Sequence, residues 1–459
     1  MPELKTAYDL ACERGIIAPK FSKKEEKPVM DFISIPEFED KENKAIDIRG
    51  FSDDGEYAEE TKPIGTIEKE RDATKTFEDK NMEVLLHGSF SDFTGFSRIN
   101  RTLAFGLSNR NVRLRIEDIS TTTHINQSTQ DILKELSNVE VSEHAPKIFS
   151  VTVPINMMHT GKKILFTMIE NSNGIHKDYR EKLNLFDEIW VPTNYNKNIF
   201  EDNKVYPPIH VMPLGVDADR YKPGLEKMRM GLPKDNFVFL SVFRWSYRKR
   251  PDILIRAFLE EFSSDEPVSL LIVSRAVEYD QTTGEQKIIE EYSSIRSFVE
   301  KKDSELPHIA LYTKPIPEKN MPRVYNTGDA FCLISEGEGF GLPFIEAGIC
   351  GLPIIASNCS GQTDYLTQDN SYLVEPERYV SADINGKLSR MAKLCHFYEN
   401  QSFPEFGEAS INQTKEHMRY IYENYDSAKQ KAKQFGKEIK AKYTWNNMVD
   451  KIYNRLEEM

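Results

Sequence analysis

No stretch of about 18 apolar residues occurs anywhere in the sequence, which argues against a membrane-spanning helix. Cysteine is scarce. The five present, Cys12, Cys332, Cys350, Cys359 and Cys395, form an odd set without CxxC spacing, so neither a disulfide framework nor a zinc site is indicated. Three of them lie in apolar segments and read as core. Cationic excess is also missing: 60 Lys and Arg stand against 73 Asp and Glu, a formal charge of -13. General affinity for nucleic acid rests on cations replacing phosphate counterions, and this balance opposes it. The opening MPELKTAYDLACERG has neither the basic start nor the apolar run of a signal peptide, so a cytoplasmic location is expected. The sequons at Asn126, Asn400 and Asn412 then read as incidental. No repeat of solenoid period is present.

What is present is enough apolar material for two large domains. The 459 residues are 39% hydrophobic and include 26 Phe and 20 Tyr. Residues 1–80 are charge-rich, with FSKKEEK and FEDKENK, and show a helical pattern only over Leu4 to Ile17. They read as an extension that lies on the body or binds a partner. From Met82 the texture changes to short apolar runs alternating with helical patterns: MEVLLH, VRLRIE, KIFSVTVPI, KKILFTMIE and EIWVPT. A second series follows: FVFLSVFRW, VSLLIVS, HIALYTK, DAFCLIS, PIIASN and SYLVEP. Near-continuous apolar runs suit parallel strands covered on both faces. The expected fold class is therefore α/β, with two doubly wound Rossmann-like domains facing a cleft at 81–215 and 216–440. Residues 441–459 form a closing amphipathic helix. The stretch from Glu377 to Glu423 departs from this pattern and reads as an insertion.

The most informative segment is SEGEGFGLPFIEAGICGLP, Ser335 to Pro353. It follows a strand pattern, and among its acids Glu338 and Glu346 stand with seven residues between them. Gly339 and Gly341 allow close approach of backbone N–H groups, Pro343 suits a first helical position and Gly351 a C-terminal cap. A helix starting there attracts a diphosphate without a metal. Glu346, expected in the first helical turn, would accept hydrogen bonds from a ribose diol, and Glu338 from sugar hydroxyls. An ordinary strand-to-helix connection explains the glycine spacing alone but not the paired acids.

These residues resemble glycosyltransferase family 4, the retaining enzymes of GT-B fold also grouped as glycosyl transferases group 1. The resemblance runs from Met82 to Met459 and is strongest over Val205 to Glu375. It implies that Glu338 contacts the donor sugar and Glu346 the donor ribose, with Gly339, Phe340, Gly341 and Leu342 lining a phosphate loop. A second anchor, VFRWSYRKRPDILIRAF, places Arg244 and Lys249 at a strand end, where two cations would stabilise a departing diphosphate. The family has glycines where this sequence has Phe243 and Arg250, which implies a stiffer, more basic loop.

Weaker signals complete the reading. In HGSFSDFTGFSRINRTLAFGL, a glycine loop would cover the donor phosphate with Gly95, Phe96 and Ser97. Glu170, at a strand end where the family often has His, is a candidate to orient or deprotonate an acceptor hydroxyl, or else a helix N-terminal acid. His159 and His176 read as structural or surface residues, and Trp445 as core. Gly215 and Asp217 would shape an interdomain hinge. Arg98, Arg101, Arg110, Arg113 and Arg115 could form a local basic groove.

The function implied is a hexosyl- or pentosyltransferase moving a sugar from a nucleotide-diphosphate-sugar, with retention and without metal or other cofactor. The acceptor stays open among a glycan, a lipid-linked sugar, a protein and a modified nucleic-acid base. Two alternatives differ in class: a catalytically silent binder of nucleotide-sugar or partner, and a nucleotide-sugar hydrolase or epimerase of the same fold.

Overall fold

The computed structural model describes residues 46–47, 82–92, 94–123, 125–152, 158–228, 230–276, 281–381 and 401–459. The helical pattern over 4–17, nearly all of the charged extension, Cys12, Cys395, Asn400 and residues 382–400 of the expected insertion lie outside the described residues.

The chain first contributes β1 (Ile46–Asp47). It then runs through β2 (Met82–Gly88), α1 (Gly95–Ser108), β3 (Val112–Asp118), α2 (Gln127–Ser137), β4 (Lys147–Ser150), β5 (Lys163–Phe166), α3 (Lys177–Leu183), β6 (Glu188–Val191), α4 (Asn194–Asp202) and β7 (Ile209–Val211). Strands β2 to β7 form a parallel sheet in the order β3-β2-β4-β5-β6-β7. The inner strands β4 and β6 are buried at every position, the polar Lys147, Ser150 and Glu188 included. VRLRIED forms the edge strand β3, so its buried positions alternate with outward arginines. Helix α1 starts because the Thr94 side chain accepts a hydrogen bond from the Ser97 N–H, and it buries Ile99, Leu103, Ala104 and Leu107.

The second sheet is built from β8 (Phe237–Trp245), α5 (Pro251–Glu261), β9 (Val268–Ala276), α6 (Gln281–Arg296), β10 (His308–Tyr312), α7 (Met321–Thr327), β11 (Ala330–Leu333), α8 (Leu342–Ile349), β12 (Ile354–Ser357) and β13 (Tyr372–Val374). Its order is β1-β10-β9-β8-β11-β12-β13, all parallel. Every apolar run read as a strand from the sequence is one. Strand β7 and the antiparallel pair β14 (Arg378–Ser381) and β15 (Ser402–Glu405) are additional. Among the described residues no helix is long and apolar enough to cross a membrane. Cys332, Cys350 and Cys359 are buried, free thiols.

Two crossings join the halves. After β7 the chain passes through Gly215 and Val216, while α9 (Glu408–Glu423) and α10 (Tyr425–Lys442) lead back through Thr444 into α11 (Trp445–Glu457). Val216 and Thr444 form a parallel bridge, and a methyl at Gly215 would overlap the Thr444 backbone. Helix α11 then packs on α1, with Val449 seated against Gly106. It buries Trp445, Met448, Val449, Ile452 and Leu456, each stabilising by about 1.5–3 kcal/mol. Arg455 adds hydrogen bonds of 2.8 and 2.9 Å to Glu188, which is 1% exposed.

Candidate functional site

The site forms where the strand ends of the two sheets meet. After β11, residues Ser335 to Gly341 make a wholly buried turn. Gly341 is the N-cap of α8 with φ +89°, a left-handed conformation that glycine adopts without steric cost. Pro343 lies in the first turn, and Gly351 follows the C-cap Cys350 with φ +78°. Glu346 corrects one expectation. It is the fifth helical residue and stands beyond the first turn, because α8 begins at Leu342. The opposite wall touches this turn directly: a methyl at Gly337 would overlap the Glu170 carbonyl oxygen, and one at Gly339 would press into the Met168 side chain. Phe340 points the other way, 2% exposed, with its ring against Tyr365 and Tyr443.

Glu338 is the centre of a buried charge network. Its Oε1 accepts from Lys249 Nζ and lies 3.6 Å from Arg248 Nη1, while its N–H donates to Ser360 Oγ at 2.9 Å. Burial works to raise the Glu338 carboxyl, but Lys249 and Arg248 outweigh it and hold the group below the usual carboxylate range. Burial and the neighbouring Arg248 push the Lys249 ammonium down. Arg248 also donates to the Gly337 carbonyl and pairs with Glu170 at 2.8 Å, so it joins the two halves of the chain. Glu170 follows β5 in a loop, and the next helix is capped by His176, so it is not a helix N-terminal acid. Sequence reasoning passed over Arg248 because its neighbours Arg244 and Lys249 carried the family pattern.

Arg250 occupies a left-handed conformation, φ 40° and ψ 54°, between a 3₁₀ turn at Tyr247–Lys249 and α5. Its guanidinium bonds Asp252 at 2.7 and 2.9 Å and Glu336 at 3.0 Å. Arg244 is exposed at the end of β8, beside Arg275 in register and within Coulombic reach of Asp92 from the opposite half. Among the described residues it makes no salt bridge within 4.0 Å.

Glu346 is engaged on both oxygens. Arg98 of α1 donates to Oε1, and the Tyr325 hydroxyl donates to Oε2 at 2.7 Å. The Arg98 guanidinium lies 5.7 Å from the Tyr221 ring centre and 5.6 Å from that of Trp445, which is buried as expected. Neither partner of Glu346 was singled out for this role from sequence.

At the β2–α1 loop, Gly95 is exposed with open space before it and Phe96 is half-buried. Ser97 is buried, its hydroxyl bonded to Asp92, inside the cap of α1. The arginines read as a basic groove are mostly paired. Arg98 meets Glu346, Arg101 donates to the Phe90 carbonyl at 2.5 Å, Arg110 binds Asp450 at 2.7 Å and Arg113 lies 3.5 Å from Glu83. Arg115 is exposed on β3. His159 bonds the Ala145 carbonyl at 2.7 Å. Asp217 accepts the N–H groups of Asp219 and Arg220 beside the Val216 crossing.

Residues 226–393 match the family described as Glycosyl transferases group 1. A D-inositol 3-phosphate glycosyltransferase 2 of Catenulispora acidiphila is 28% identical over 193 residues, 40% of this chain and 44% of the relative. A D-inositol 3-phosphate glycosyltransferase of Xylanimonas cellulosilytica is 29% identical over 202 residues, 41% and 45% of the two chains. The chain thus spans less than half the length of these curated relatives. Among solved structures, Anabaena HepE in complex with UDP and glucose superposes with a TM-score of 0.55 at 13% identity, covering 82% of this chain and all of the other. A glycosyltransferase from Rickettsia africae does so with a TM-score of 0.58 at 14% identity, over 82% and 98%. These structural likenesses establish the GT-B frame. Residues 226–393 are thus where this chain is similar to the glycosyl transferases group 1 family.

Proposed function

We propose that this protein transfers a hexosyl or pentosyl group from a nucleoside-diphosphate sugar to an acceptor hydroxyl, with retention and without a metal ion. The observation that supports this best is the ionised, buried Glu338, held by Lys249 and Arg248 beside the glycine turn that opens α8. In this reading the diphosphate rests between Arg244, Lys249 and the backbone from Gly339 to Leu342. Glu346 takes the ribose diol and Glu338 the sugar hydroxyls. Gly95 and Phe96, at the exposed start of α1, approach the phosphates from the other wall, and buried Ser97 supports that turn through its cap. As the glycosidic C–O bond breaks, its electron pair passes to the β-phosphate oxygen, and the two cations stabilise the charge that grows there. The acceptor oxygen attacks the face the leaving group vacates, its proton passing to that phosphate oxygen, while Glu170 orients the hydroxyl.

HepE was solved with UDP and glucose, so UDP is the first nucleotide to test. The experiment is thermal unfolding with UDP, GDP and ADP, for wild type and Glu346→Ala. A ligand that binds only the folded chain raises Tm. One nucleotide should do so for wild type and not for the variant, and that nucleotide's sugars should then support transfer in the presence of EDTA. No shift with any of the three refutes the donor site, and transfer abolished by EDTA refutes the metal-free step.

A further inference from the structure

Arg98 and Glu346 come from opposite halves of the chain, 248 residues apart, and meet in the interior. Glu346 is 5% exposed. A carboxylate so buried carries a large cost unless a cation pairs with it, and Arg98 is the cation that does so. Arg98 on Oε1 and Tyr325 on Oε2 each take one acceptor site of Glu346, so a ribose diol approaching the carboxylate meets the guanidinium there. The guanidinium has a second carboxylate in reach. Its Nε lies 3.4 Å from Glu318 Oε1, whose side chain is 36% exposed, and Arg101 approaches the same carboxylate at 3.9 Å. The aromatic rings of Tyr221 and Trp445 flank Arg98, offering it a surface along which to shift.

We propose that Arg98 is a displaceable occupant of the ribose subsite: it holds Glu346 in the nucleotide-free protein and passes to Glu318 when the ribose diol takes Glu346. The inference rests on the reading of Glu346 as the ribose ligand. It makes Arg98 a positioning residue that sets how strongly the protein distinguishes a ribonucleotide from one lacking the diol. Only a ligand that must evict Arg98 bears the work of breaking its bond to Glu346. A nucleotide without the 2′ and 3′ hydroxyls leaves that bond intact.

Calorimetric binding of UDP, GDP and ADP and of their 2′,3′-dideoxy counterparts tests this on wild type, Arg98→Gln, Glu318→Gln and Glu346→Ala. Arg98→Gln should tighten the cognate ribonucleotide by about tenfold and leave its dideoxy form within about twofold. Glu318→Gln removes the second resting place and should weaken the ribonucleotide by about fivefold with no change for the dideoxy form. Equal weakening of both forms by Arg98→Gln assigns Arg98 to the phosphates or to structure and overturns the proposal. So does an unchanged ribo-to-dideoxy ratio in Glu318→Gln, a surface change that also serves should Arg98→Gln not fold. A ribo preference that survives Glu346→Ala refutes the ribose reading itself, a different result from failure of the exchange alone.

Discussion

The left-handed residue at Arg250 permits a quantitative test of how the Lys249 turn is held. A side chain at φ 40° costs about 1–2 kcal/mol against glycine. The same side chain pairs with Glu336, which is 4% exposed, and removing one partner of a buried pair costs about 3–5 kcal/mol. Two substitutions separate these effects. Arg250→Ala loses the pair and keeps the backbone strain. Arg250→Gly loses the pair and relieves the strain, although glycine gives back about 0.5–1 kcal/mol through the freedom of its unfolded chain. Arg250→Ala should be less stable than wild type by about 3–5 kcal/mol, and Arg250→Gly should be the more stable of the two by about 0.5–1 kcal/mol. Adding Glu336→Gln should recover more than 1 kcal/mol or so in either background, since it removes the buried charge left unpaired. Urea unfolding followed by the fluorescence of Trp245, buried at the end of β8, reads the unit concerned. An alanine variant as stable as the glycine one would show that the turn relaxes without strain. Absence of rescue by Glu336→Gln would show that the ion pair does not hold it.

Three further outcomes are expected. Lys249→Ala and Glu338→Gln should each lower the rate of sugar transfer by about a hundredfold or more, and retained turnover in both would remove the charge network from the chemistry. Gly337→Ala places a methyl on the Glu170 carbonyl and should hold the halves apart; X-ray scattering should show a larger radius of gyration, and an unchanged radius contradicts the contact. Glu188 is buried, yet hydrogen bonds from Arg455, Trp190 and Lys162 overcome that burial and lower its carboxyl to about 2. Its stabilisation is complete above the unfolded carboxylate pKa of about 4.3 and is lost as pH falls toward 2; because Arg455 and Lys162 are partly exposed, screening reduces it to about 2 kcal/mol. The Tm gap between wild type and Glu188→Gln should therefore narrow below pH 4.5 or so, and a gap that stays constant down to about pH 2.5 speaks against the assignment.

Local features of the site were legible in the sequence, and long-range ones were not. The glycines and Pro343 around α8 act through backbone conformation, which is decided within a few residues, so the turn and the helix could be read directly. Parallel strands such as Glu188–Val191 announce themselves because burial on both faces leaves little room for polar positions. Arg98 is different. In sequence it is one of several arginines near α1, and only the meeting of two distant segments shows that it serves Glu346. Strands β14 and β15 are four residues each, and SFPE holds a proline and a glutamate, so no period distinguishes them from loop. Their place becomes intelligible only where Ser402 pairs with Asn173 across the cleft.

The return of α11 to α1 has a consequence for the order in which the chain takes shape during synthesis. When residues 82–211 have left the ribosome, every strand of the first sheet is available, yet the seat at Gly106 has no cover and Glu188 lacks Arg455. The second unit emerges next with all its strands and helices in hand. It can close on itself while its predecessor still waits for residues 445–457, so the half that is made first is completed after the second.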